Sequence, residues 1–229
     1  MSSASAEQVF KHDSLPADRT RTRLPSYGDD PKVFADIYQE DINIAIWRRT
    51  TGERLKDAVD DFLAANPQFE AAMSVSPDSA HAEVSEATSG TASTELADNV
   101  AELVGMFCYL FGLKRAGLRL ATLNRAMCPR FHVDRVPCRL VTTYHGVATE
   151  WLPHQAVDRS KLGPGSNGQS DPDSGLFANQ SDIQQLTCGD VALLKGELWT
   201  ENEGAGLVHR SPAVPPGENR LLLTLDVSD

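Results

Sequence analysis

The sequence predicts an α+β fold, with a mainly helical part over residues 31–116 packed on a β-sandwich core over residues 117–229, in a single domain. Three observations carry that reading. The chain has 229 residues, 41% of them apolar, which is enough to bury one substantial core. Its first half contains stretches whose apolar residues recur at helical spacing. After Gly117 the pattern changes to short alternating or apolar runs separated by turn residues: GLRLATL, CRLVTTYHG, TEWL, IQQL, DVALLKG, GLVH and RLLLTLDV. That series suits a sandwich, barrel or jelly roll rather than alternating βαβ units.

Residues 1–30 mix Ser, Asp, Arg and Pro without a hydrophobic period and read as a flexible N-terminal arm. In the run that follows, Ile42, Ile44 and Ile46 alternate with Asn43, Ala45 and Trp47, a period of two that predicts a strand. Leu55, Val59, Phe62 and Leu63 share one face of a helix that Asn66-Pro67 stops. The segment from Ser74 to Asn99 is rich in Ser, Ala and Thr and reads mostly as an excursion between elements. Near its end Leu96, Val100, Leu103, Phe107 and Leu110 form the stripe of an amphipathic helix that Gly112 can terminate, and this stripe is read as core packing. The polar, Gly-rich segment 158–182 reads as a long mobile loop of the kind that serves as a lid or binding loop.

Charge narrows the classes of partner. With 21 Lys+Arg against 32 Asp+Glu the net charge is −11, which repels polyanions, so neither nucleic acid nor a membrane surface is an expected partner. No apolar run reaches the length of a membrane span and the N-terminus lacks a signal-peptide core, so a cytoplasmic protein is expected. The cysteines, Cys108, Cys128, Cys138 and Cys188, form no CxxC and are too few for a disulfide framework, so reduced thiols are expected.

In FHVDRVPC, His132 and Asp134 are two residues apart and project from the same face of an extended segment, so they can chelate one ion. His209, in GLVHRSP at the end of another expected strand, completes two imidazoles and one carboxylate, the facial set suited to non-haem Fe(II). After the turn PAVPPGEN, Arg220 opens RLLLTLDV, and a guanidinium on an inward strand position suits bidentate capture of a carboxylate. Cys128 and Cys138 flank the His-Asp pair, and thiolate with imidazole is zinc chemistry, so Zn(II) stands as an alternative metal. An inert buried thiol is the simpler role for each cysteine.

The order H-x-D, distal His, then Arg on the next strand resembles the Fe(II)/2-oxoglutarate-dependent dioxygenases, and CGDVALLKGELW resembles the strand ahead of their distal His. The resemblance covers roughly the C-terminal half. It implies a double-stranded β-helix, a jelly-roll relative of the cupins, with His132, Asp134 and His209 on iron and Arg220 on the distal carboxylate of 2-oxoglutarate. It also implies hydroxylation of a substrate, small molecule or protein, that the resemblance does not name. Many members place a Ser two residues beyond the Arg, where this chain has Leu222; Thr224 or Tyr144 could supply the hydroxyl instead. Over the whole chain, MCPRFHVD, TTYHG, TEWL, KGELW, VHRSP and RLLLTLD resemble an uncharacterised bacterial family of unknown function. Genes of that family often stand near those of metal-chaperone GTPases and zinc-limitation responses, which implies a non-catalytic zinc-binding role as the competitor. A metal-free cupin-like binding module is the third reading.

Overall fold

The computed structural model describes residues 22–227. Two sheets and three α-helices form its framework. The strands are β1 (Leu24–Gly28), β2 (Ile42–Trp47), β3 (Glu70–Val75), β4 (Ala116–Leu123), β5 (Cys138–His145), β6 (Glu150–Leu152), β7 (Gln184–Gln185), β8 (Val191–Lys195), β9 (Val208–Arg210) and β10 (Arg220–Val227). The helices are α1 (Glu53–Ala65), α2 (Ala80–Ala87) and α3 (Thr94–Phe111), and a 3-10 helix spans Pro31–Tyr38.

The large sheet has the order β1-β2-β8-β5-β10-β4-β3, and the small sheet the order β7-β6-β9. An antiparallel bridge between His132 and His209 adds one more extended segment beside β9. From β4 onward the chain visits the sheets in the order large, small (His132), large, small, small, large, small, large. That order is symmetric about the connection between β6 and β7. It describes one long antiparallel hairpin wound into a helix, so the core is a double-stranded β-helix in an α+β protein.

Alternation along β10 shows why the winding holds. Leu221, Leu223 and Leu225 pack with Leu96, Val100, Leu103 and Phe107 of α3 in one buried cluster. Leu222 points the other way, into a second cluster with Val141, Trp151, Ala192, Leu194 and Leu207 between the sheets. Each such buried side chain contributes about 1.5–3 kcal/mol, so a one-residue slip of β10 would reverse both faces at a prohibitive cost. Helix α3 starts where the Ser93 side chain accepts from the Leu96 N–H and ends at Gly112, whose φ of 65° is left-handed.

The seven runs read as strands after Gly117 are β4 to β10, and the two helical stripes are α1 and α3. Residues 1–21 of the expected arm lie outside the described residues, whereas Leu24–Gly28 within it forms β1, parallel to β2. The Ser74–Asn99 excursion contains the end of β3 and all of α2. The 158–182 segment is not wholly polar surface. It buries Leu176 and Phe177 with Phe131, Leu152 and Val208 beneath the small sheet.

Candidate functional site

Strand pairing brings the histidines together. His132 N–H donates to the His209 carbonyl and His209 N–H to the His132 carbonyl, both at 3.0 Å, so the two residues are directly opposed. Opposed residues of an antiparallel pair share a face, and their rings lie 4.6 Å apart. Asp134, two residues on, presents its carboxylate to that face, 3.5 Å from His132 Nε2 and 3.3 Å from His209 Nε2. The ligand-type atoms of these three residues lie within 4.8 Å of one another. Cis ligands of an octahedral ion at about 2.1 Å stand about 3 Å apart, so the cluster needs only small adjustments to close on one ion.

Both rings are oriented through their other nitrogen. His132 Nδ1 lies 2.9 Å from the Arg130 carbonyl and His209 Nδ1 3.2 Å from that of Leu207. With Nδ1 turned to a carbonyl, Nε2 is the nitrogen left to bind a metal, and here it faces Asp134. The donor set therefore fits a divalent metal. The hydrogen bond that His132 donates to Asp134 raises the pKa of His132 against the lowering effect of burial. For Asp134, burial alone pushes the pKa up, but His132, His209 and Arg139 outweigh it and hold the carboxyl well below the usual range.

Arg139 on β5 braces this carboxylate. Its Nη1 donates to Asp134 Oδ2 at 2.7 Å, while Nε and Nη2 donate to the two oxygens of Asp226 on β10, each at 2.7 Å. The backbone is fixed as well. Glu197 N–H donates to the Asp134 carbonyl at 2.9 Å, and a Cβ on Gly196 would collide with the Val136 carbonyl, so only glycine lets the end of β8 pass this loop. Asp171, almost fully buried, accepts from Arg130 Nε at 2.6 Å and from Phe131 N at 2.9 Å, pinning the segment that carries His132.

Arg220 lies between the sheets at 1% exposure. It donates from Nη1 to Ser211 Oγ at 2.9 Å and from Nη2 to Thr143 Oγ1 at 3.1 Å and Thr149 Oγ1 at 2.8 Å. Its Nε is buried with no partner, and among the described residues no carboxylate is paired with it. Burial pushes its pKa down to about 10. Gly146, at φ 84°, makes the turn beside it possible, because a Cβ there would lie 2.6 Å from the Asn219 carbonyl.

The structure separates Tyr144 from this group. Thr143 faces Arg220, so its neighbour Tyr144 faces the helices, where its hydroxyl donates to Asn99 Oδ1 at 2.9 Å. Thr224 lies on the face of Arg220 and Leu222, opposite Val141, with no hydrogen bond to the guanidinium. Hydroxyls do surround Arg220, but they come from Ser211, Thr143 and Thr149. A period-two reading of CRLVTTYHG and VHRS could have found the first two, since Thr143 faces Leu222 across the ladder and Ser211 lies two residues from His209. Cys138 is fully buried on the helix side, where burial raises its thiol pKa far above the ordinary value, and Cys128 is exposed. Among the described residues, the clustered ligand atoms include no thiol.

The model of a family described as a protein of unknown function (DUF1826) matches residues 28–226. No curated protein matches the chain. Solved structures resemble it at low identity. A dioxygenase for auxin oxidation from rice is 14% identical over 89% of this chain and 82% of that one, with a TM-score of 0.46. A 2OG-Fe(II) oxygenase family protein from Caulobacter crescentus is 13% identical over 91% and 87%, with a TM-score of 0.46. The dioxygenase for auxin oxidation 1 from Arabidopsis thaliana, solved with 2-oxoglutarate, is 9% identical over 90% and 92%, with a TM-score of 0.45.

Proposed function

This chain belongs to the DUF1826 family of proteins of unknown function, and we propose that it is an Fe(II)/2-oxoglutarate-dependent oxygenase. The observation that carries the reading is Arg220, a guanidinium buried between the sheets with hydroxyl partners and, among the described residues, no counter-ion. An uncompensated buried charge is costly, and a dicarboxylate bound to a metal at one end supplies the missing anion at the other. The resemblance of the H-x-D, distal His and Arg order to the 2-oxoglutarate dioxygenases supports the same assignment.

In this reading His132, Asp134 and His209 hold Fe(II), the imidazoles through Nε2. Arg139 keeps Asp134 ionised and oriented. Arg220 receives the distal carboxylate of 2-oxoglutarate, and the hydroxyls of Ser211, Thr143 and Thr149 share it. Trp151, Leu207 and Leu222 line the space between the sheets and exclude water, which strengthens each of these charged contacts. The bound metal and co-substrate supply oxygen-dependent decarboxylation of 2-oxoglutarate to succinate and CO2, coupled to hydroxylation of a substrate C–H bond.

A resident Zn(II) on the same three ligands would serve metal handling without catalysis, but that reading leaves Arg220 without an anion. The test is turnover. Iron-loaded chain given oxygen and 2-oxoglutarate is expected to form succinate and CO2 in equal amounts, and the Asp134→Ala variant none. Wild type that retains one iron per chain but forms neither product and binds no 2-oxoglutarate would favour metal handling.

A further inference from the structure

A cavity of about 1430 Å³ opens beside the His132 segment, with Arg23, His132, His154, Arg159 and Glu197 in its wall. It is large enough for a small-molecule substrate beyond the co-substrate. We propose that this cavity is an oxyanion-binding subsite in which Arg23 and Arg159 together hold a carboxylate or phosphate group of the molecule on which the chain acts. The proposal rests on the oxygenase reading for the meaning of that molecule, but the anion site is argued from its own residues.

Arg23 is 3% exposed. Its Nε donates to Asn202 Oδ1 at 3.0 Å and its Nη1 to the Thr22 carbonyl at 3.4 Å, while Nη2 has no partner among the described residues. Arg159 donates from Nη2 to the Gly206 carbonyl at 2.6 Å and to His154 Nδ1 at 3.3 Å, and its buried Nε has no partner. A guanidinium offers five donors, so both side chains are under-used. Neither has a carboxylate at ion-pair distance among the described residues. Glu197 attracts Arg159, but its Oε1 is occupied by the Gly204 N–H at 2.8 Å.

Arg23 also acts on Arg159, and both act on their neighbour His154. Burial lowers the pKa of Arg159 to about 10 and Arg23 adds to the depression; burial, Arg159 and Arg23 together lower that of His154 to about 4. Two guanidiniums on one cavity wall, with no carboxylate at ion-pair distance among the described residues, repel unless an anion lies between them. The remaining acidic residues of the wall, Asp158, Glu201 and Glu203, are exposed, where water screens them. His132 belongs to both the cavity wall and the His132-Asp134-His209 cluster, so the arginines and the cluster border one space.

Inorganic phosphate and acetate, titrated separately into the metal-free chain by calorimetry, test the proposal. We expect saturable binding of one of them with a Kd on the order of 1–10 mM, retained within about twofold in Arg220→Met and weakened at least about tenfold in Arg23→Gln and in Arg159→Gln. Tighter phosphate indicates a phosphorylated molecule, and tighter acetate a carboxylated one. Arg23 is the more deeply buried, so if its variant does not fold the Arg159 variant decides. No saturable binding of either anion by wild type, or undiminished binding by Arg159→Gln, overturns the subsite. Anion binding in a wild-type chain that binds no 2-oxoglutarate when iron-loaded leaves the subsite standing and removes only the oxygenase reading.

Discussion

Replacing Arg220 by Met separates a co-substrate anchor from a structural clip. Burial takes its pKa from 12.5 to about 10, and at about 1.4 kcal/mol per pH unit that depression corresponds to roughly 3 kcal/mol against the charged form. Its hydrogen bonds to Ser211, Thr143 and Thr149 return about 1 kcal/mol or more each. The two contributions are of similar size, so the co-substrate-free variant is expected to melt within about 4 °C of wild type. The contrast lies in the ligand. At a concentration about 100 times its Kd, 2-oxoglutarate stabilises the wild-type metal complex by about 2.7 kcal/mol, or roughly 5–10 °C for a domain of this size. Removing the anchor weakens binding about a hundredfold, which leaves about 0.4 kcal/mol, or roughly 1–2 °C. Anaerobic calorimetry of the iron-loaded proteins with and without 2-oxoglutarate reads both quantities. A variant that loses more than about 3 kcal/mol without ligand, yet keeps the full ligand-induced shift, would refute the reasoning.

Single replacement of His132, Asp134 or His209 by Ala is expected to abolish stoichiometric metal binding while the far-ultraviolet circular dichroism is unchanged; equal metal content in wild type and all three variants contradicts the site. The Cys128→Ser/Cys138→Ala double variant is expected to keep one metal per chain, and loss of metal with the fold intact would instead support thiolate zinc. Metal affinity should be pH-dependent: the folded pKa of His132 lies above 6.5, so its pair with Asp134 stabilises the metal-free fold fully below pH 6.5 and is lost as pH rises through that raised value. Metal must displace the same proton, so chelator competition should show affinity falling about tenfold per pH unit below it, and a flat profile from pH 8 to 6 would contradict this.

The strands of the core were legible in the sequence because each buries at least one face and is bounded by turn residues, as in DVALLKG and RLLLTLDV. The missed strands lie at the sheet edges. β3 alternates exposed and half-buried residues, and β1 is half-exposed and pairs in parallel, so neither carries a strong apolar pattern. The clustering of His132, Asp134 and His209 could be read because spacing on a strand fixes a face. Tyr144 illustrates the cost of a one-residue error, since it neighbours Thr143 but faces the helices. Arg139 and Asp226 lie within the apolar runs of β5 and β10, where nothing in the sequence pairs them with each other or with Asp134. Asp171 could not be foreseen, because its partners Arg130 and Phe131 meet it only once the 158–182 segment folds under the small sheet.

The central claim, that the His132-Asp134-His209 cluster and Arg220 form one co-substrate site, is tested most directly by anaerobic titration of 2-oxoglutarate into the iron-loaded chain, followed by visible metal-to-ligand charge-transfer absorbance. The predicted result is a band that saturates at one equivalent per chain, is absent without iron, and requires at least about a hundredfold more 2-oxoglutarate in Arg220→Met. An iron-loaded wild-type chain that develops no band and binds no 2-oxoglutarate at millimolar concentration would contradict it.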